Sequence, residues 1–246
     1  MTVKIEYSKK AFSQSSSNLV VFSNDEFKNR DFKKHLSNSE FEYINELLKT
    51  SDLKKNLFIF EINSKKKIVL VSIKNNLKLS DIESLGAEFF ERVNYGKNSE
   101  FHIISDSVVG KYENFLGHFL HGIKLKSYKF QKYKSKKNKR QISILVTGTK
   151  NTPTKQSQLK FKAIEEGTFF TRDLVSEPGN VLHPDEYARR LNSLKKDGLK
   201  ITIFDDKKLK KLGMDSLLGV GMGSVRGSYL VTIEWNGTKN NSKPVA

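Results

Sequence analysis

The sequence contains no cysteine, and its 246 residues include only four prolines and one tryptophan. The absence of cysteine excludes a disulfide scaffold, a cysteine nucleophile and any metal site built from thiolates. No apolar run approaches the roughly 18 residues of a membrane span. The first residues alternate apolar and polar types, whereas a signal peptide has an apolar block. From these absences we expect a soluble cytoplasmic protein that has no membrane partner.

Acidic residues are scarce relative to basic ones. The 44 lysines and arginines exceed the 27 aspartates and glutamates, which gives a formal net charge of +17. Such an excess is typical of proteins that bind nucleic acids or anionic membranes. Lysine far outnumbers arginine, however, and asparagine, isoleucine, serine and phenylalanine are abundant, which is the profile of an AT-rich genome. We therefore interpret the charge mainly as an effect of composition on solubility and association.

The first 150 residues alternate between strand and helix patterns. Capping boxes at Ser37–Glu40 and Ser80–Glu83 introduce two helices, and a third helix is predicted over Lys111–Lys126. Strands interleaved with helices favour a layered α/β domain with a largely covered sheet. The predicted strands are short and rich in Ile, Val, Leu and Phe: Val3–Tyr7, Asn18–Phe22, Leu57–Ile62, Lys67–Ile73, Phe101–Ser105 and Ile142–Val146.

The pattern changes at Gly148–Thr154, which has the composition of a linker. The helix that follows is predicted to end at Glu177, because the residue before Pro178 disfavours the α conformation. Beyond it we predict a helix from Pro184 to about Lys196, a strand over Leu199–Phe204, a short helix over Lys207–Leu212 and a strand over Tyr229–Trp235. The chain thus divides into an N-terminal α/β domain (1–150), a linker helix (151–177) and an incomplete start of a second α/β domain (178–246).

Six motifs after Thr171 occur in a fixed order and carry a resemblance to the leucyl (cytosol) aminopeptidase family. Each motif is weak alone, whereas all six in this order are highly specific. Gly179 stands where a second proline is commoner in the family, and His183 stands where a capping threonine is usual. The motifs are Arg172–Leu182, Pro184–Ala188, Leu212–Met214, Leu218–Ser224, Ile233–Gly237 and Lys243–Ala246.

The resemblance implies a fold and an activity. It implies a macro-domain-like N-terminal domain with a mixed sheet, and an α/β/α zinc-peptidase-like catalytic domain. Members are homohexamers that remove N-terminal amino acids, leucine among them, from peptide substrates. Two divalent cations (manganese or zinc) polarise the scissile carbonyl and generate a hydroxide nucleophile.

The family's metal ligands and catalytic residues lie in two segments that do not occur in this sequence, Lys-Gly…Asp-x-Gly-Gly and Asn-Thr-Asp-Ala-Glu-Gly-Arg. We therefore assign no catalytic residue, no cofactor-binding residue and no metal ligand. We expect no metal ion to bind this chain, which we interpret as truncated before its active site.

Other polar clusters have structural explanations. The glycines of Gly219–Ser224 resemble a phosphate loop, but a helix precedes them and a strand follows, which is the wrong order; we predict a structural turn. The adjacent carboxylates Glu165-Glu166 do not face each other on a helix, and Asp205-Asp206 suits helix capping. His118 and His121 lie three residues apart with no third ligand, and we predict an ordinary packed helix there.

The strongest local signal is Lys124–Arg140, with nine basic residues and no acidic one. Its lysines could contact phosphates, and Tyr128, Phe130 and Tyr133 could stack on unpaired bases. The alternative, which we favour, is that the rings pack inward and the lysines are solvated. Three hypotheses therefore stand: a metallo-aminopeptidase, a DNA- or RNA-binding protein that acts through its basic N-terminal domain, and an inactive truncated subunit.

Overall fold

The computed structural model describes residues 2–9, 18–25, 27, 30–94, 99–136 and 140–237. They belong to two compact units, Met1–Phe169 and Phe170–Ala246, each of which is described by itself. The last motif, Lys243–Ala246, lies outside the described residues. No helix in the described ranges is long and apolar enough to cross a membrane.

The order of elements follows the predicted alternation of strands and helices. Every predicted strand is confirmed to within two residues at each end. The strands are β1 (Thr2–Ser8), β2 (Asn18–Asn24), β3 (Leu57–Glu61), β4 (Lys67–Ile73), β5 (Ser99–Ile104), β6 (Gln141–Thr147), β7 (Lys200–Phe204) and β8 (Leu230–Glu234). The helices are α1 (Asn38–Lys49), α2 (Leu79–Val93), α3 (Phe115–Ser127), α4 (Lys155–Ser176), α5 (Pro184–Asn192), α6 (Asp206–Lys211) and α7 (Asp215–Gly221).

The first unit is built on a mixed sheet with the strand order β1-β6-β5-β2-β4-β3. The strands are parallel except β3, which pairs with β4 in an antiparallel hairpin. The Asn63 side chain stabilises the hairpin turn by accepting hydrogen bonds from the backbone N–H groups of Lys65 and Lys66, each at 2.9 Å. The central strands β2 and β4 are buried on both faces, as expected when helices cover a parallel sheet.

Two glycines allow α2 and α3 to pack backbone to backbone on one face of this sheet. A Cβ atom at Gly86 would lie 1.9 Å from the carbonyl oxygen of Phe119, and one at Gly122 would lie 1.9 Å from that of Glu83. The core beneath them includes the T-shaped contact of Phe22 with Phe119, whose ring centroids are 5.4 Å apart. The opposite face of the sheet is covered by α1.

The two predicted capping boxes have different outcomes. The Ser37 box is confirmed, because Ser37 and Glu40 exchange backbone-to-side-chain hydrogen bonds of 3.0 and 3.3 Å. The Ser80 box is wrong: α2 already begins at Leu79, and the Asp81 carboxylate accepts from the backbone N–H of Lys78 at 2.9 Å. The third helix begins four residues later than predicted, because Asn114 takes the left-handed conformation, with φ of 53°.

The second unit contains the antiparallel pair β7–β8 together with α5, α6 and α7. The helix predicted to reach Lys196 ends at Asn192 and continues as a 3-10 turn over Ser193–Asp197, which Gly198 stops with a φ of 87°. The predicted turn at Gly219–Ser224 is wrong in its first half. Helix α7 extends through Gly221, since its apolar residues continue the helical pattern through the first glycine.

Candidate functional site

The first unit contains a cavity of about 350 Å³ between β1, α3 and the part of α4 that ends at Phe169. Its walls combine apolar and aromatic side chains with several polar ones. The apolar lining includes Ile5, Leu120, Phe161 and Phe169, and the polar lining includes Tyr7, His121, Lys124 and Glu165.

Local periodicity places these residues on one side of each element. Ile5 and Tyr7 are two apart on β1, so they share a face of the strand. His121 and Lys124 are three apart on α3 and lie on one face of that helix. Phe161, Glu165 and Phe169 recur every four residues on α4, and they form a second wall by the same rule.

A histidine and a carboxylate in hydrogen-bond contact lie at the cavity wall. The Nδ1 atom of His121 lies 3.0 Å from Oε1 of Glu165, and the two side chains are 6% and 14% exposed. Burial, with a contribution from the negative charge of Glu165, raises the pKa of the Tyr7 hydroxyl to about 12. That hydroxyl therefore stays protonated at neutral pH.

Lys124 brings a positive charge to the same cavity. Its Nζ atom donates a hydrogen bond to the backbone carbonyl of Val3. Burial lowers the pKa of Lys124 from its ordinary value, and the charge of Glu165 partly offsets this effect. Within the described residues, Lys124 and Glu165 both line the cavity and do not form a direct ion pair with each other.

A second histidine contributes a parallel contact on α3. The Nδ1 atom of His118 lies 2.9 Å from Oε1 of Glu83 on α2. The Phe161 ring packs against both histidines, with centroid distances of 4.9 Å to His118 and 5.0 Å to His121. The prediction of an ordinary packed helix is thus confirmed in part, because both histidines pack. It omitted the carboxylate that each one binds.

The predicted carboxylate pairs do not act as pairs. Both glutamates line the cavity, but Glu165 contacts His121, whereas Glu166 is exposed and lies 3.8 Å from Lys162. Asp205 caps α6 by accepting from the backbone N–H of Lys208 at 3.0 Å, as predicted. In the part of the chain that the structure describes, no group of three or more His, Asp or Glu side chains is placed to hold a metal ion.

The basic segment Lys124–Arg140 is only partly solvated. The Tyr128 ring packs against Phe169 at 5.4 Å, and the Phe130 ring packs against Tyr133 at 5.8 Å. Lys124 points into the cavity described above. Residues 137–139 of the segment lie outside the described residues. The inward packing that we favoured is therefore found for Tyr128, while Tyr133 remains 53% exposed.

In the second unit, the motif Arg172–Leu182 forms the end of α4 and the turn into α5. Arg190 of α5 donates to Glu177 at 2.8 Å and to Glu186 at 2.8 Å. Hydrogen bonds from Arg189 and Arg190 lower the pKa of Glu186 to about 2. The backbone N–H groups of Val181 and Leu182 both donate to the Pro178 carbonyl at 2.9 Å, which closes the turn.

Comparison with known proteins gives a family match in this second unit. Residues 169–246 match the family model described as the catalytic domain of the cytosol aminopeptidase family. A probable cytosol aminopeptidase of Nitrobacter winogradskyi is 38% identical over 178 residues, which is 69% of this chain and 35% of that protein. Another from Brucella anthropi is 42% identical over 134 residues, 51% of this chain and 26% of that protein. The chain therefore spans about a third or less of these curated relatives.

Solved structures share the fold over most of the chain. The bottromycin maturation enzyme BotP in complex with Mn superposes with a TM-score of 0.67 and 15% identity, covering 90% of this chain and 46% of that one. Cytosol aminopeptidase from Coxiella burnetii superposes with a TM-score of 0.66 and 15% identity, covering 95% and 47%. At this level of identity the likeness shows the fold alone.

Proposed function

Because this chain belongs to the cytosol aminopeptidase family, we propose that it serves a metal-dependent aminopeptidase, which removes N-terminal amino acids from peptides. The observation that carries the proposal is the catalytic-domain match over residues 169–246. The turn formed by Arg172–Leu182 supports it, because that motif is folded and held by the Glu177–Arg190 ion pair.

The family is metal-dependent, and one protein of the same fold is described in complex with Mn. We propose that two divalent cations, manganese or zinc, serve the whole enzyme by polarising the scissile carbonyl and supplying hydroxide. The described residues do not fit such a centre, because none of their His, Asp and Glu side chains form a group of three placed to hold a metal. No chemical step is assigned to them.

We propose instead that these residues supply the N-terminal domain and the first part of the catalytic domain. The two family segments with the catalytic groups do not occur in the 246 residues. On this proposal the 246-residue chain neither hydrolyses peptides nor holds stoichiometric metal alone. Assembly as a homohexamer that acts on peptide substrates is the arrangement we propose for the whole enzyme.

The test compares the gene product isolated from its source cell with the purified 246-residue chain. Each is incubated with leucyl-p-nitroanilide and manganese or zinc, before and after chelation with EDTA. We expect metal-dependent release of p-nitroaniline from the native gene product only. A mock purification from the expression host controls for trace peptidase.

A native gene product that stays at the level of the mock purification would argue against the aminopeptidase proposal. Metal-dependent hydrolysis by the 246-residue chain would overturn the assignment of the chemistry to other segments. Size-exclusion chromatography of the native product, with mass determination, tests the hexamer.

A further inference from the structure

The cavity of the first unit contains a lysine and a glutamate that do not pair with each other, Lys124 and Glu165, besides the exposed pair of Lys162 and Glu166. Lys124 and Glu165 both line it, and neither forms an ion pair with the other within the described residues. Each is held by a different partner, Lys124 by the Val3 carbonyl and Glu165 by His121. Two anchored charges of opposite sign thus face a shared space.

Each anchored group keeps unused hydrogen-bonding capacity. A lysine ammonium has three donors, and the Val3 carbonyl accepts one of them. A carboxylate has two oxygens, and His121 contacts only Oε1 of Glu165. The protonated Tyr7 hydroxyl makes no hydrogen bond with any described residue, and it lies in the field of the Glu165 charge.

The remaining lining combines polar side chains, those of Gln158, Lys162 and Glu166, with an apolar part that favours an apolar group. Ile5, Leu120 and Phe161 contribute hydrocarbon surface, which favours burial of a branched or aromatic side chain. The volume of about 350 Å³ lies at the small end of ligand pockets, which run from roughly 300 to 1,000 Å³. A compact molecule therefore fits better than a nucleotide or a long peptide.

We propose that this cavity binds a free α-amino acid with an apolar side chain, whose ammonium group pairs with Glu165 and whose carboxylate pairs with Lys124. The Tyr7 hydroxyl donates a further hydrogen bond to the carboxylate. A zwitterion meets both charges at once, whereas a simple amine or a simple carboxylate leaves one charge in the cavity uncompensated. The inference goes beyond the proposed function and does not depend on it, because binding is measured directly.

The first arm of the test uses the unaltered 246-residue chain and three probes of one shape, measured by isothermal titration calorimetry at low salt. L-Leucine carries both charges, leucinamide lacks the carboxylate, and 4-methylpentanoate lacks the ammonium group. We expect saturable binding of leucine, with about tenfold or greater weakening for each of the other two. Glycine, which lacks an apolar side chain, is also expected to bind more weakly than leucine.

The second arm assigns each charge to its residue. In Lys124→Met, leucine and leucinamide should bind alike, because the carboxylate has lost its partner. In Glu165→Gln, leucine and 4-methylpentanoate should bind alike. The matched control variants are Lys126→Met and Glu91→Gln, which remove a surface ion pair of 3.1 Å that does not line the cavity. Both controls should keep the preference for leucine.

Three results would overturn the proposal: no saturable leucine binding to the unaltered chain, equal affinities for the three probes, or variants that keep the full preference for leucine. Circular dichroism checks that each variant is folded. The first arm needs no variant, so a destabilised Lys124→Met chain would still leave the proposal open to refutation.

Discussion

The carboxylate of Glu177 and the guanidinium of Arg190 form an ion pair at 2.8 Å, and their side chains are 1% and 17% exposed. Glu177 directly precedes Pro178, and Arg190 lies in the last turn of α5. The pair therefore joins the end of α4 to the helix that follows it, across the turn formed by the motif Arg172–Leu182.

Replacing Glu177 by glutamine should lower the free energy of unfolding of the second unit by about 2–3 kcal/mol, because a largely buried guanidinium loses its charged partner. The cost is limited because Arg190 keeps its bond to Glu186. Urea unfolding followed by circular dichroism measures the change. Arg189→Gln is the matched control: its side chain is 71% exposed, so its loss should cost less than about 1 kcal/mol. Equal losses in the two variants would contradict the prediction.

Lowering the pH should reduce the stability of the second unit, because the carboxylate of Glu186 becomes protonated. Hydrogen bonds from Arg189 and Arg190 hold the pKa of this carboxyl at about 2 in the folded chain, against an ordinary value of 4.5. Because the folded-state pKa is the lower one, its contribution to stability is complete above 4.5 and is lost as the pH falls towards 2. We expect the unfolding curves of the unaltered chain and Glu186→Gln to differ above this window and to converge below it. Curves that stay parallel across the window would show that the carboxylate contributes nothing there.

The contact between α2 and α3 makes glycine necessary at two positions. In Gly86→Ala the new methyl would lie 1.9 Å from the Phe119 carbonyl oxygen, so the helices must separate, at a cost of about 1–3 kcal/mol or more. Gly167→Ala is the control within α4: outside the adjacent residues and the helix's own backbone, no atom lies within 4 Å of its Cβ position, and alanine should stabilise the helix by about 0.5–1 kcal/mol. Thermal unfolding of both variants measures the two changes in stability, which should have opposite signs. A neutral Gly86→Ala would mean that the helices are farther apart than described.

The lysines of the basic segment are expected not to bind nucleic acid. Replacing Lys132, Lys134, Lys136 and Lys137 by glutamine should leave the titration of a fluorescent oligonucleotide unchanged. Tyr128→Ala should instead destabilise the first unit by about 2 kcal/mol, because its ring packs on Phe169. Salt-dependent binding whose slope flattens in the lysine variant would favour the nucleic-acid hypothesis.

Strands were predictable because their apolar runs are short and continuous. The runs in β2 and β4 are long enough to be buried on both faces, and polar clusters bound them. Helix starts were less predictable, since Asn114 adopts a left-handed conformation that its neighbours in sequence do not indicate. At α2 the Asp81 carboxylate accepts a hydrogen bond from the backbone N–H of Lys78. The helix therefore begins before Ser80, and Ser80 does not act as its cap.

The cavity could be predicted only in part. The spacing of Phe161, Glu165 and Phe169 does indicate one face of a helix. The contact between His121 and Glu165 spans 44 residues and two helices, and no local spacing encodes it. Treating Glu165 and Glu166 as a pair did not predict the contact between Glu165 and His121. Adjacent residues on a helix do not face each other.

The position of β1 at the edge of the sheet sets an order of events during synthesis. In the described sheet, β1 pairs in parallel with β6, from Thr2 with Gln141 to Ser8 with Thr147. During synthesis β1 therefore leaves the ribosome long before β6, the strand with which it pairs. At roughly 5–20 residues per second that delay is on the order of 7–27 seconds. Throughout that interval β1, and the wall of the cavity formed by Ile5 and Tyr7, has no sheet to join. A chaperone that holds nascent chains would meet this segment before it is paired.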